Sequence, residues 1–134
     1  MLQKETVVQV IDNSGAKTAK CIGMRNNGNS RIAGIGDIIV VSIKRCTSVP
    51  SVAVSAVSSA PAAATVIKKE GKKVVKGEVC LAVVVQVRQP SRRIGCERVK
   101  FSASSVVLID DKGAPRGTRI FGRVAVDCKN MKIL

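Results

Sequence analysis

"KGEVCLAVVVQVRQ", residues 76–89, is the stretch that decides the fold. Its middle is almost wholly β-branched and its charges sit at the ends. A Val/Ile run of this kind reads as a strand covered on both faces or curled tightly, rather than one with a wet face. The pattern recurs. "AGIGDIIVVSIKRC" (33–46) opens on a glycine turn and then runs β-branched, and "RVKFSASSVVLI" (98–109) is a third such segment. Upstream, "ETVVQVI" (5–11) and "AKTAKCIGM" (16–24) read as two further strands separated by the turn signal "DNSG" (12–15). "RNNGNSR" (25–31) has the look of an exposed hairpin tip, and "DDKGAPRG" (110–117) of a turn. The last stretch, "TRIFGRVAVDCKNMKIL", has room for one more strand and at most a short helix. Several short strands separated by turns give an all-β barrel or sandwich. A small closed barrel is preferred, because closure removes edges that invite aggregation.

One segment breaks the pattern. "TSVPSVAVSAVSSAPAAAT" (47–65) carries no charge and is built almost entirely of Ala, Ser, Val, Pro and Thr. Its two prolines and simple composition mark it as a surface insertion at about 47–66, spliced into the connection between two strands of an otherwise single domain spanning 1–134.

Composition narrows the function. Of 134 residues, 23 are Lys or Arg and nine are Asp or Glu, a net charge of +14. So cationic a domain repels itself unless a polyanion neutralises it, which points to nucleic acid or an anionic membrane. The chain has two Phe and neither Trp nor Tyr. That poverty argues against interfacial membrane binding and against single-strand binding by rows of aromatic rings. Folded RNA or duplex, held by phosphate, sugar and shape, is the expected partner. There is no histidine, which removes the commonest general base and a common metal ligand. The five cysteines are scattered, with no CxxC, so neither a zinc site nor a disulfide framework is expected; Cys21 and Cys80 read as small buried hydrophobes. No cofactor and no catalytic residue are assigned. "DNSGAK" (12–17) reads as a turn with Gly15 at positive φ, and Asp110–Asp111 as part of a turn rather than a metal pair.

Five strings, "VIDNSGAK", "AGIGDII", "VKGEVCLAVVV", "VKFSASSVVLID" and "GTRIFG", occur in the order and spacing of the fourteenth large-subunit ribosomal protein family, in its bacterial and organellar wording. The resemblance covers residues 1–46 and 67–134. It implies a five-stranded barrel with a projecting β-hairpin and a small C-terminal region, and a structural rather than enzymatic role. It further implies large-subunit rRNA as ligand, the third and nineteenth large-subunit proteins as neighbours, small-subunit rRNA across the intersubunit bridges, and an assembly or silencing factor on the same face. The chain departs from the family pattern at the insertion, at "RRIGCERVKF", and at Leu134, where the family continues into a final helix. The simple insertion and extra cysteines suggest a mitochondrial ribosome, with a bacterial one as the alternative.

The residues expected to touch rRNA are Arg25, Arg31, Lys44, Arg45, Lys72, Lys73, Arg92, Arg93, Arg98 and Arg116. Arginine suits phosphate because its fork donates two parallel hydrogen bonds. Thr118 and Arg119, with Lys132, which matches a late family lysine, are expected on the exposed intersubunit or factor-facing surface. The rival reading is a free-standing cationic RNA chaperone with a barrel fold; it would need a stacking face, and it would not sediment with the large subunit.

Overall fold

The computed structural model describes residues 1–25, 32–47, 74–92, 97–125 and 128. It holds nine strands in chain order: β1 Leu2–Gln3, β2 Val7–Val10, β3 Ala16–Met24, β4 Ile32–Ala33, β5 Ile38–Cys46, β6 Val79–Gln86, β7 Ser91–Arg92, β8 Arg98–Val99 and β9 Ser105–Ile109. Among the described residues there is no α-helix.

Five strands close a barrel in the order β2-β3-β5-β6-β9. All neighbours are antiparallel except the closing pair, β9 and β2, which runs parallel with Gln9 opposite Ser105 and Val10 opposite Val106. Two short ribbons are appended: β1 pairs β4, and β7 pairs β8. The barrel and the closure expected from edge protection are therefore present.

The sides of each strand explain the composition. Inside the barrel lie Val8, Val10, Ala19, Cys21, Ile39, Val41, Ile43, Ala82, Val84, Val106 and Leu108, all buried in one cluster. A second cluster sits outside it, where Val85 and Val107 meet Ala125 and Cys128, with Ile11, Phe101, Ile120 and Val124 packed against them. So the outer face of β6 and β9 is covered by the C-terminal stretch, and β9 is buried along its whole length. A bulge makes this possible. Between Val84 opposite Val106 and Gln86 opposite Ser105, β6 carries one extra residue, Val85. Alternation turns Val85 to the outer cluster after Val84 has entered the barrel, and the bulge brings Val87 back to the inner one. The two-faced burial read from Leu81–Val85 is found. The similar run Ile38–Val41 instead alternates between half-buried and buried, so its outer face is only partly covered.

Three expectations change. The segment 98–109 is two strands, not one. Arg98–Val99 pairs with Ser91–Arg92, and the chain then bends at 100–104 before β9. The bend is fixed from both sides: the Ser104 carbonyl accepts the Gln9 N–H at 3.0 Å and its hydroxyl accepts the Arg88 N–H at 3.2 Å. The segment 5–11 is strand only over Val7–Val10, because Glu5 takes φ 72° between β1 and β2. The described residues after Thr118 form no strand; they are tied down by single bridges such as Asp12 with Ile120. The expected hairpin tip beyond Arg25 and the insertion at 47–66 beyond Thr47 lie outside the described residues. What is described is that β5 and β6, on either side of that insertion, pair as antiparallel neighbours from Ile38–Val83 to Ser42–Val79.

Because Leu108 is fully buried inside the barrel while Val79 is 61% exposed, their truncations should separate. Leu108→Ala lowers the urea-unfolding free energy by about 2–5 kcal/mol, and Val79→Ala changes it by no more than about 0.5 kcal/mol.

Candidate nucleic-acid interface

The described basic residues do not converge on one pocket. β3 and β5 pair from Ala16–Cys46 to Met24–Ile39. Arg25, just past β3, and Arg45, near the end of β5, therefore stand at opposite ends of the sheet, about 20 Å apart along the strands. At the β5 end, two consecutive cations, Lys44 and Arg45, are both exposed. Alternation would bury one of them. The register shows why it does not: Thr18 faces Arg45 while the next residue, Ala19, faces Ile43, which leaves Lys44 as an extra bulged residue.

On the β7–β8 ribbon, Arg92 and Arg98 are directly opposed in register and both exposed. Like charges facing each other across a pair of strands destabilise it, and a two-residue ribbon is marginal at best. Arg93 lies outside the described residues, as do Arg31, Lys72, Lys73 and Lys132.

Arg116 is placed differently. Its guanidinium faces the protein, with Nη1 2.7 Å from Glu78 Oε1, Nε 2.8 Å from Asp110 Oδ1, and Nη1 3.3 Å from Cys80 Sγ. The side chain is only 20% exposed. The hydrogen bond to Glu78 is the main reason its pKa is raised even above the ordinary arginine value. For Glu78, burial pushes the carboxyl upward, but the Arg116 hydrogen bond, the Val75 N–H and the Arg116 charge together outweigh it and hold the pKa below the usual value. Burial lifts the neighbouring Cys80 thiol to about 11, against a smaller downward pull from Arg116. Arg116 thus clamps the 110–117 turn onto the start of β6. The turn itself is closed by Gly113 N–H to the Asp110 carbonyl at 2.9 Å and Asp110 N–H to the Ala114 carbonyl at 2.8 Å. Asp110 is a turn residue, as read from the sequence; its partner in Arg116 was not foreseen, although an acid six residues before an arginine across a tight turn is a usable signal.

The third region is the docking of 117–121 onto the turn 12–15. Asp12 is 5% exposed. Its Oδ2 accepts the Leu108 N–H at 2.8 Å, and its Oδ1 accepts the Ser14 N–H at 3.0 Å and the Ser14 hydroxyl. Gly15 has φ 95°, as the turn requires. Asn13 then reads the loop: its N–H donates to the Arg119 carbonyl at 3.2 Å, its Oδ1 accepts the Arg119 N–H at 3.1 Å, and its Nδ2 donates to Thr118 Oγ1 at 2.8 Å. The two segments touch so closely at Gly117 that an added Cβ would lie 2.8 Å from Asn13 Oδ1 and 2.9 Å from Asp12 Cβ. Thr118 and Arg119 are exposed at the edge of this contact. Phe121 and Arg123 are exposed beside them and were not among the expected site residues. Among the described residues no three His, Cys, Asp or Glu side chains are grouped to hold a metal.

A comparison with protein families finds that the family described as ribosomal protein L14p/L23e matches residues 1–134, the whole chain.

Two outcomes follow from this geometry. Gly117→Ala forces the 12–15 turn and the 117–121 loop apart and lowers thermal stability by about 1–3 kcal/mol. Glu78 has a folded pKa below its unfolded value of about 4.3, so the unfolded state binds its proton first on acidification. Its contribution is present above that unfolded value and disappears as pH falls through the folded pKa. Glu78→Gln therefore flattens the loss of stability below about pH 4 that the unsubstituted chain shows in acid titration of its unfolding midpoint.

Proposed function

The chain belongs to the L14p/L23e family of ribosomal proteins, a family of the large subunit, and from that we propose that it is a structural constituent that binds large-subunit rRNA through outward-facing fixed cations. The observation that carries the reading is the union of the whole-length family match with the placement of the charge. Arg25, Lys44, Arg45, Arg92, Arg98 and Arg119 are all exposed on a closed barrel and spread over separate parts of its surface. A pocket would gather them. A surface wedged among several RNA segments spreads them, and each phosphate it neutralises releases condensed counterions.

The physics favours a rigid carrier. Cations on bulged strands and short ribbons are held at fixed spacing, so less side-chain and loop ordering opposes binding than in a flexible basic tail. Arg92 and Arg98, opposed in register, form the strongest candidate phosphate contact. Arg116 has a different part: its guanidinium holds the 110–117 turn in place, and it acts on RNA binding only by positioning neighbours. Thr118 and Arg119 belong to the face proposed to meet the small subunit and its rRNA, or an assembly or silencing factor, and Arg31, Lys72, Lys73, Arg93 and Lys132 extend the same reading from the sequence alone. The neighbouring large-subunit proteins are proposed on the family resemblance. The uncharged insertion within a bacterial-type body favours an organellar ribosome, a mitochondrial one first.

Filter binding of the purified chain to large-subunit rRNA across a potassium chloride series tests this. The logarithm of the association constant falls linearly with the logarithm of salt, and Arg98→Ala or Arg45→Ala each lowers the slope by about 1. Arg116→Met leaves the slope unchanged and lowers the melting temperature instead. Binding indifferent to salt would overturn the reading.

A further inference from the structure

Phe101 and Phe121 are the only aromatic residues in the chain. Phe101 is half-buried against the outer cluster, whereas Phe121 is 59% exposed. A single exposed apolar side chain says little by itself. Three features set this one apart. The first is rigidity. The Phe121 N–H donates to the Ile11 carbonyl at 2.6 Å, the preceding Ile120 bridges to Asp12 and packs into the outer cluster, and Arg119 is bonded through both its backbone groups to Asn13. The ring is therefore held out from an anchored backbone and is not a loose loop tip.

The second feature is charge. Arg119 and Arg123, two residues to either side, are exposed, and neither guanidinium makes an ion pair or hydrogen bond with any described residue. The third is space. Gly122 sits beside the ring at φ 101°, and a Cβ there would meet nothing within 4 Å. Gly122 thus offers no side chain to block a flat group approaching from its side. An apolar ring framed by two uncommitted cations matches a nucleotide: a planar base for the ring, and flanking phosphates for the arginines.

We propose that Phe121, framed by Arg119 and Arg123, is a stacking site for one unpaired RNA base. The proposal rests on the rRNA-binding reading and adds to it a contact that salt does not weaken. Stacking on a ring tolerates any base, so the site marks an unpaired nucleotide rather than a sequence.

The test uses the full chain and two synthetic RNA hairpins of equal length, one fully paired and one with a bulge containing a single 2-aminopurine. The expected result is at least about fivefold tighter binding of the bulged hairpin, with quenched 2-aminopurine fluorescence. Phe121→Ala removes both the preference and the quench, keeps the melting temperature, and keeps the salt slope, since no charge is lost. Phe121→Tyr restores both signals. Arg119→Ala and Arg123→Ala lower the salt slope by about 1 each and leave some quench. A wild-type chain that binds both hairpins equally, or a Phe121→Ala variant that retains the preference and the quench, overturns the proposal while leaving salt-dependent RNA binding standing. So does a Phe121→Ala variant that is unchanged on both hairpins but enters the large subunit poorly, because the ring then faces a protein. Failure of the wild-type chain to bind either hairpin in a salt-dependent way removes the rRNA reading itself, and the stacking site with it.

Discussion

The carboxylate of Asp12 stands where a strand runs out. β2 and β9 pair in parallel only as far as Val10 and Val106, and the Ile11 N–H still reaches the Val106 carbonyl. One step further along β9, the Leu108 N–H points at a place that β2 has already left. An unpaired N–H in that buried position would cost about 1–3 kcal/mol. Asp12 Oδ2 fills the gap, while Oδ1 organises the turn that carries the chain away. One side chain thus completes the closing edge of the barrel and shapes the surface onto which the 117–121 loop docks. The close approach at Gly117 and the paired hydrogen bonds of Asn13 to Arg119 both depend on that turn keeping its shape. So the exposed row from Thr118 to Arg123 is held, at one remove, by a residue buried at the seam.

The same logic of fixing a surface from beneath applies at the other end of β5. Its ladder with β6 continues past Ser42–Val79 through the Ile43 N–H to the Glu78 carbonyl and the Gly77 N–H to the Ile43 carbonyl. Glu78 is in turn gripped by Arg116. The connection between the two strands is therefore sealed by paired backbone and an ion pair on its own stem. Extra chain added beyond such a seal weakens folding only through loop closure, which grows with the logarithm of length. That is a physical reason for this connection to carry an uncharged, simple stretch without disturbing the barrel.

How much could be read beforehand varied with the kind of information needed. β3 was legible to the residue, because "AKTAKCIGM" is bracketed by turn signals on both sides. β6 was legible as a strand covered on both faces or curled tightly, since seven consecutive apolar residues, Val79 to Val85, leave it no polar face. The break between Val99 and Ser105 was not legible. Its cause is a hydrogen bond from Gln9 and another from Arg88, both distant in sequence, and "KFSAS" carries no glycine or proline to announce it. The family wording could not tell which arginine turns inward. Arg116 and Arg119 lie in one short motif with similar neighbours. Only the fold brings Glu78 and Asp110 to the first and leaves the second exposed.

That difference between two arginines bears on how so cationic a protein stays folded. A chain with 23 basic and nine acidic groups cannot pair its charges internally, and the described ion pairs of Arg116 take up two of the nine acids on a single guanidinium. Those acids sit at a structural joint, where a charge-assisted pair sheltered from solvent contributes more than an exposed one. Exposed cations such as Lys44, Arg45 and Arg98 are carried on bulges and ribbons, and the barrel tolerates them because its strength comes from the two apolar clusters, which do not sense charge. Stability is thus carried by residues other than the exposed cations, so the surface charge can be as high as it is without weakening the barrel's interior.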